Sequence, residues 1–277
     1  MDIWHHVDAA YGGYFCGLDP SAGLLAPAQQ RALDAVRRAD SVTIDPHKLG
    51  YAPYACGALI ARDAEHDVIS SFAAPYVDRA ELGAAPWKTT LEGSRPATGA
   101  AATWLTGKTI GFGPEGLGAV LSSTIEACRA IRTALAASIP LVRPLDPTDT
   151  NILCFSLARP GEALSAANAR TMAVQADIAE GPNFSMSRTI LGRDACPALI
   201  DAHVASYQGR ADSDRLVLLR CVVMNPFWAD AGVRARLIPE LIGELEAAIS
   251  RTGPAERRHG GRPGSRKLAA EACRTGA

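Results

Sequence analysis

Apolar and polar positions change their period several times along the chain, and each change marks an element. Ile3-Trp4 is a short apolar run leading to Asp8, and Ser41-Val42-Thr43-Ile44 is a second leading to Lys48; both predict strands. Residues 26–38 predict a crossover helix between them, so residues 1–62 read as strand, helix, strand. Residues 63–91 form a long connection containing Pro75 and Pro86, the length of a functional loop rather than a plain linker. Residues 97–109 and 114–137 predict helices. In the second, Leu117, Val120, Leu121, Ile125, Cys128 and Ile131 recur at helical spacing and read as core. After Pro140 the pattern resets. Strands are predicted over 151–157, 184–191 and 216–223, with a helix over 161–180 and a closing amphipathic helix over 230–250. Residues 253–277, with Arg257-Arg258-His259-Gly260-Gly261-Arg262, offer too little apolar surface to offset ordering entropy and read as a disordered basic tail.

The expected organisation is therefore α/β over residues 1–138, with a mostly parallel sheet. A small α+β domain over 139–252 and the tail follow. A chain of 277 residues can bury a sizeable core. Its 28 basic side chains against 29 acidic ones give a net charge near −1 and no reason to expect nucleic acid or a membrane surface as partner. No apolar stretch of about 18 residues occurs, so no membrane span is expected. The start, Met1-Asp2-Ile3-Trp4-His5-His6, is not a basic-then-apolar signal peptide. Seven scattered cysteines without a Cys-x-x-Cys pair suit a reducing cytoplasm, and Cys16, Cys56, Cys154 and Cys221 sit among apolar neighbours as small core residues. Cys and His do not cluster, and His5 and His6, adjacent on a strand, would face opposite ways, so no metal is expected.

Candidate chemistry lies in two segments, His6-Val7-Asp8-Ala9-Ala10-Tyr11-Gly12-Gly13 and Asp45-Pro46-His47-Lys48-Leu49-Gly50-Tyr51. Each follows a predicted strand, and in an open parallel sheet residues just past two strand ends converge on one site. They supply an acid and an amine of the kind a pyridoxal phosphate enzyme needs. Asp8 would hold the pyridine nitrogen protonated, and Lys48 would hold the aldehyde as a Schiff base. Ala9-Ala10 offers a small flat surface for a ring, and Gly12-Gly13 frees the backbone beside it. Pro46 fixes the turn, and His47 offers a donor beside the lysine.

These residues resemble the group II pyridoxal phosphate-dependent decarboxylases, which include aromatic amino acid, tyrosine, glutamate and diaminobutyrate decarboxylases. Residues 4–13, 40–58 and Leu91-Glu92-Gly93-Ser94-Arg95-Pro96 carry the resemblance. It implies fold type I, a pyridoxal phosphate cofactor, an amino acid substrate, a homodimer and a cytoplasmic location. Residue by residue, Lys48 resembles the Schiff-base lysine, Asp8 the partner of the pyridine nitrogen, and Ala10 the residue packed on the ring. His47 resembles the histidine beside the phosphate, with Asp45 close by. Tyr76 lies where the family carries a loop tyrosine that helps protonate the carbanion; a surface or interface aromatic is the alternative. Gly93 and Ser94 either reach the phosphate of a neighbouring subunit's cofactor or cap the helix that follows. Arg95 either joins them or pairs with Glu92. Arg220 resembles an arginine that recurs in the third C-terminal strand, structural or facing substrate.

The resemblance also implies relatives nearly twice as long, whose N-terminal half supplies a glycine/serine-rich phosphate loop, a residue stacked on the open ring face and helices that clasp the partner. The chain thus reads as the C-terminal part of such an enzyme, expected to bind pyridoxal phosphate poorly alone. Three functions follow from this reading: an amino acid decarboxylase, a pyridoxal phosphate-dependent carbon–carbon lyase of the same fold, or a non-catalytic fragment that needs a separate N-terminal half.

Overall fold

The computed structural model describes residues 3–63, 96–181 and 183–253. Strand β1 (His6–Asp8) leads through a 3-10 turn (Gly12–Gly17) to helix α1 (Pro27–Val36), strand β2 (Ser41–Ile44) and strand β3 (Ala58–Ala61). Helices α2 (Thr98–Thr109) and α3 (Leu117–Ser138) follow. The C-terminal part runs β4 (Val142–Pro144), β5 (Ile152–Leu157), α4 (Leu164–Ala179), β6 (Ser187–Gly192), α5 (Pro197–Ser206), β7 (Arg215–Val222) and α6 (Ala231–Thr252).

The first sheet has the order β1-β2-β3. The β1–β2 pair is parallel, His6 opposite Ser41 and Asp8 opposite Thr43, with α1 as the crossover. The β2–β3 pair is antiparallel, so among the described residues this sheet is mixed rather than mostly parallel. Its third strand returns through the turn that carries Lys48, a connection without the helix that a parallel crossover usually contains. The first strand also lies later than Ile3-Trp4. Pairing begins at His6, while Ile3 is exposed and Trp4 Nε1 donates to Ser41 Oγ at 3.0 Å.

The second sheet, β4-β5-β7-β6, is antiparallel throughout. Side chains of β7 alternate between two cores, as the strand period requires. Leu216 and Leu218 pack with Ile200 and Val204 of α5, and Leu219 packs with α3, α4 and α6. The structure adds β4 and α5 to the elements predicted here. Strand β6 begins at Ser187 instead of 184; its ladder with β7 starts at the Ser187–Arg220 pair, and Phe184 before it packs half-buried against the core. Helix α6 opens on Asp230, whose carboxylate accepts from Val233 N at 2.8 Å, an N-cap that satisfies an otherwise unpaired donor.

Helix α3 joins the two parts. Leu117, Leu121 and Ile125 are buried with Tyr14, Phe15 and Leu49 of the first part, and Cys128, Ile131 and Leu135 are buried with the second sheet. The stripe read from the sequence is thus core along its whole length, with Val120 half-buried. Of the cysteines read as core, Cys56 is buried and Cys154 and Cys221 are half-buried, but Cys16 is exposed. In the Gly12–Gly17 turn, Tyr14 and Phe15 take the inward positions and leave Cys16 outside. Among the described residues no helix is long and apolar enough to cross a membrane. The loop expected over 63–91 and the tail expected over 253–277 lie, beyond the first residue of each, outside the described residues.

Candidate active site

Asp8 ends β1, with an exposed carboxylate whose Oδ1 accepts from Ala10 N at 3.1 Å. Ala9 is buried and donates its N–H to Thr43 O at 2.9 Å. Ala10 O then accepts from Asp45 N at 3.1 Å, so the two motifs meet just beyond the parallel ladder, whose last pair is Asp8–Thr43. This bond fixes where the Lys48 turn leaves the sheet relative to Asp8.

The turn is closed by its own backbone. Lys48 N donates to Asp45 O (3.0 Å), Tyr51 N to Lys48 O (3.2 Å) and Ala52 N to Pro46 O (3.0 Å). Leu49 is wholly buried against α3 and anchors the turn, while the neighbouring Lys48 side chain remains one-third exposed. Lys48 Nζ lies 2.8 Å from Asp45 Oδ2, and His47 Nε2 lies 3.8 Å from the same oxygen. His47 Nδ1 bonds to Cys56 O, which only accepts, so that nitrogen carries the proton. The imidazole stacks at 4.4 Å on Tyr54, a second restraint on its plane. Cys56 is itself held: its Sγ donates to Gly99 O at 3.2 Å at the start of α2.

Two glycines stand at close approaches. A Cβ on Gly13 would come within 2.7 Å of Ile44 Cδ1, so Gly13 lets the turn after Asp8 lie on β2; packing, not unusual backbone freedom, is its role. A Cβ on Gly50 would meet Pro46 O and the Tyr14 ring, both at 2.7 Å. Tyr51, next in line, has φ +53°, a left-handed conformation that costs a non-glycine residue on the order of 1 kcal/mol.

The structure therefore brings together Asp8, Ala10, Asp45, His47 and Lys48. Tyr76, Gly93, Ser94 and Arg95 lie outside the described residues. Arg220 is exposed on β7, where its Nε donates to Ser187 Oγ at 2.9 Å and ties β7 to β6. Sequence reasoning missed Tyr11 and Tyr51. The Tyr11 hydroxyl donates to Asn151 Oδ1 at 2.8 Å, and the Tyr51 hydroxyl to Met224 O at 2.7 Å. Burial pushes both phenols up to about 12, so both stay protonated donors at neutral pH. The available signal was an aromatic residue with a polar tip in each glycine-containing turn of the two motifs.

Comparison with known proteins bears on this geometry. The family model described as "Pyridoxal-dependent decarboxylase conserved domain" matches residues 1–158. The chain is 28% identical over 289 residues to L-tyrosine decarboxylase of Enterococcus faecium, an alignment covering 88% of this chain and 47% of that one. Two solved structures share its fold. Oryza sativa TDC, crystallised with PLP and tryptamine, superposes with a TM-score of 0.62 at 17% identity, over 90% of this chain and 44% of that one. The sphingosine-1-phosphate lyase of Burkholderia pseudomallei superposes with a TM-score of 0.57 at 22% identity, over 90% and 46%. The chain thus spans less than half the length of each of these relatives. The fold is that of these fold type I enzymes, and the family match covers more than half of the chain, including both motifs. The chain belongs to the pyridoxal-dependent decarboxylase family.

Proposed function

We propose that this chain carries the acid and the amine of a pyridoxal phosphate-dependent amino acid decarboxylase. The observation that carries the reading is the bond from Asp45 N to Ala10 O, which sets the Lys48 turn beside the end of the strand bearing Asp8. The residues fit the cofactor. Lys48 has a partly exposed side chain whose amine lies beside Asp45, Asp8 has an exposed carboxylate, and Ala9-Ala10 places only small side chains between strand and turn.

Bound there, pyridoxal phosphate would supply a carbonyl for amines and a ring that accepts electrons when a bond to the amine's α-carbon breaks. Lys48 Nζ is the amine that would hold the cofactor and exchange with the substrate amine. Asp45 Oδ2, 2.8 Å from Lys48 Nζ, holds this side chain in place, and the nitrogen would act as a nucleophile only after giving up a proton. Asp8 would hold a proton on the ring nitrogen, since a facing carboxylate stabilises the pyridinium charge. Ala10 would pack against the ring. His47, its plane fixed by Cys56 O and Tyr54, would present its Nε2 edge beside the phosphate.

The substrate class is an L-amino acid. The fold alone does not choose the reaction, because it also serves a lyase; the family match favours decarboxylation. The test is release of labelled CO₂ from carboxyl-labelled L-tyrosine, L-aspartate and other amino acids in the presence of pyridoxal phosphate. Release that vanishes in Lys48→Ala supports the proposal. Cleavage of a phosphorylated amino alcohol without CO₂ release would assign the chain to the lyase reaction instead.

A further inference from the structure

We propose that Tyr11 and Tyr51 are positioning residues, whose hydroxyls fasten the Asp8 segment and the Lys48 turn to a single point of the C-terminal sheet and so set acid and amine relative to each other. This rests on the reading of Asp8 and Lys48 given above. The two tyrosines belong to different turns, yet their bonds end side by side. Tyr51 reaches Met224 O directly, across 173 positions of sequence. Tyr11 reaches Asn151, across 140 positions, and Asn151 is bonded to the adjoining residue. The wholly buried Asn151 donates through Nδ2 to Val223 O at 3.0 Å, and its own carbonyl accepts from Val223 N at 2.9 Å. Val223 and Met224, the two residues just past the end of β7, therefore hold both halves of the candidate site.

Three features mark this as more than packing. Asn151 uses both ends of its amide, one on Tyr11 and one on Val223, so its side chain transmits position instead of filling space. Tyr51 keeps a side chain at a left-handed position where glycine is the unstrained choice; its ring packs against the core around Leu49 and its hydroxyl reaches on to Met224 O. The backbone just before it, from Tyr51 N to Lys48 O, leads straight to the amine-bearing residue. On the other side, Gly13 N donates to Ala9 O at 2.8 Å, so Tyr11 sits inside the small loop that follows Asp8.

Tyr11→Phe and Tyr51→Phe keep the rings and remove only the hydroxyls. In the full chain without cofactor, hydrogen exchange should rise about fivefold at Tyr51 and Ala52 in Tyr51→Phe, the scale of one lost net hydrogen bond. In Tyr11→Phe it should rise by about the same factor at Ala9 and Gly13. Exchange within α6 should stay unchanged in both. With pyridoxal phosphate and borohydride, each variant should also take up about fivefold less label on Lys48 than the parent at equal cofactor concentration. Unchanged exchange in both turns, or an equal rise throughout α6, would overturn the tether. Raised exchange with unchanged Lys48 labelling would reduce it to a structural link and overturn the positioning role. Absence of Lys48 label in the parent chain would instead refute the proposed function, and the cofactor-free exchange would still decide whether the hydroxyls hold the turns.

Discussion

Asp8 and Lys48 differ in how much of their surroundings the chain supplies. Lys48 has a closed turn, a buried anchor in Leu49 and a partner in Asp45; Asp8 has an exposed carboxylate and one backbone donor. Replacing Asp8 with Asn keeps size and removes the charge. In active enzyme the cofactor should still attach, with turnover falling on the order of a hundredfold or more, because the developing ring charge loses its counter-ion. Near-parental turnover would rule out the pyridinium role. A second residue-scale expectation concerns His203, buried with its Nε2 2.8 Å from Ser156 Oγ. Burial pushes its imidazole down from 6.5 to about 4, with nearby Asp146 opposing and Arg143 assisting. The unfolded chain therefore binds this proton first, and stability present above pH 6.5 is lost as pH falls towards 4. The contribution is roughly 3 kcal/mol. Unfolding midpoints at pH 7 and pH 5 should differ less in His203→Gln than in the parent; an equal difference would show that His203 does not carry the effect.

At the scale of elements, Leu49 is the link between core and chemistry. It is wholly buried with Leu117, Leu121 and Ile125 of α3, so Leu49→Ala should cost about 2–5 kcal/mol in denaturant unfolding and loosen the Lys48 turn as well. A cost below about 1 kcal/mol would mean the turn is held from elsewhere. The Glu162–Arg170 pair steadies α4 against the segment that precedes it, through bonds of 2.6 and 2.5 Å. That guanidinium holds the Glu162 carboxyl below its usual 4.5. Its contribution is present above that pH and is lost as the carboxylate protonates below it, so Glu162→Gln should flatten the acid limb there.

How much of this was legible depended on whether the signal was local. Helix α3 could be read because its buried face repeats every three or four residues, and β2 because four strand-forming residues stand between turn residues. Strand β3 and the three-residue β4 were not read, since pairing partners rather than their own pattern define them. The same holds for the site. Asp8, Ala10 and Lys48 stand in motifs, whereas the bonds from Tyr11 to Asn151 and from Tyr51 to Met224 span more than half the chain and left only two tyrosines as a trace. Cys16 shows the converse: apolar neighbours in sequence did not bury it, because a tight turn sends successive residues in different directions.

At the scale of the whole molecule, α3 holds two cores together. Between them, the end of β7 meets the turns that carry the acid and the amine. The central claim is that this arrangement presents Lys48 to pyridoxal phosphate. Borohydride reduction of the chain with pyridoxal phosphate, followed by peptide mapping, tests it most directly. The account predicts a pyridoxyl label on Lys48 that saturates only at high cofactor concentration, as weak binding by this chain alone requires, and is absent in Lys48→Ala. Label on Lys108 or Lys88 in its place, or spread evenly over the lysines, would contradict it.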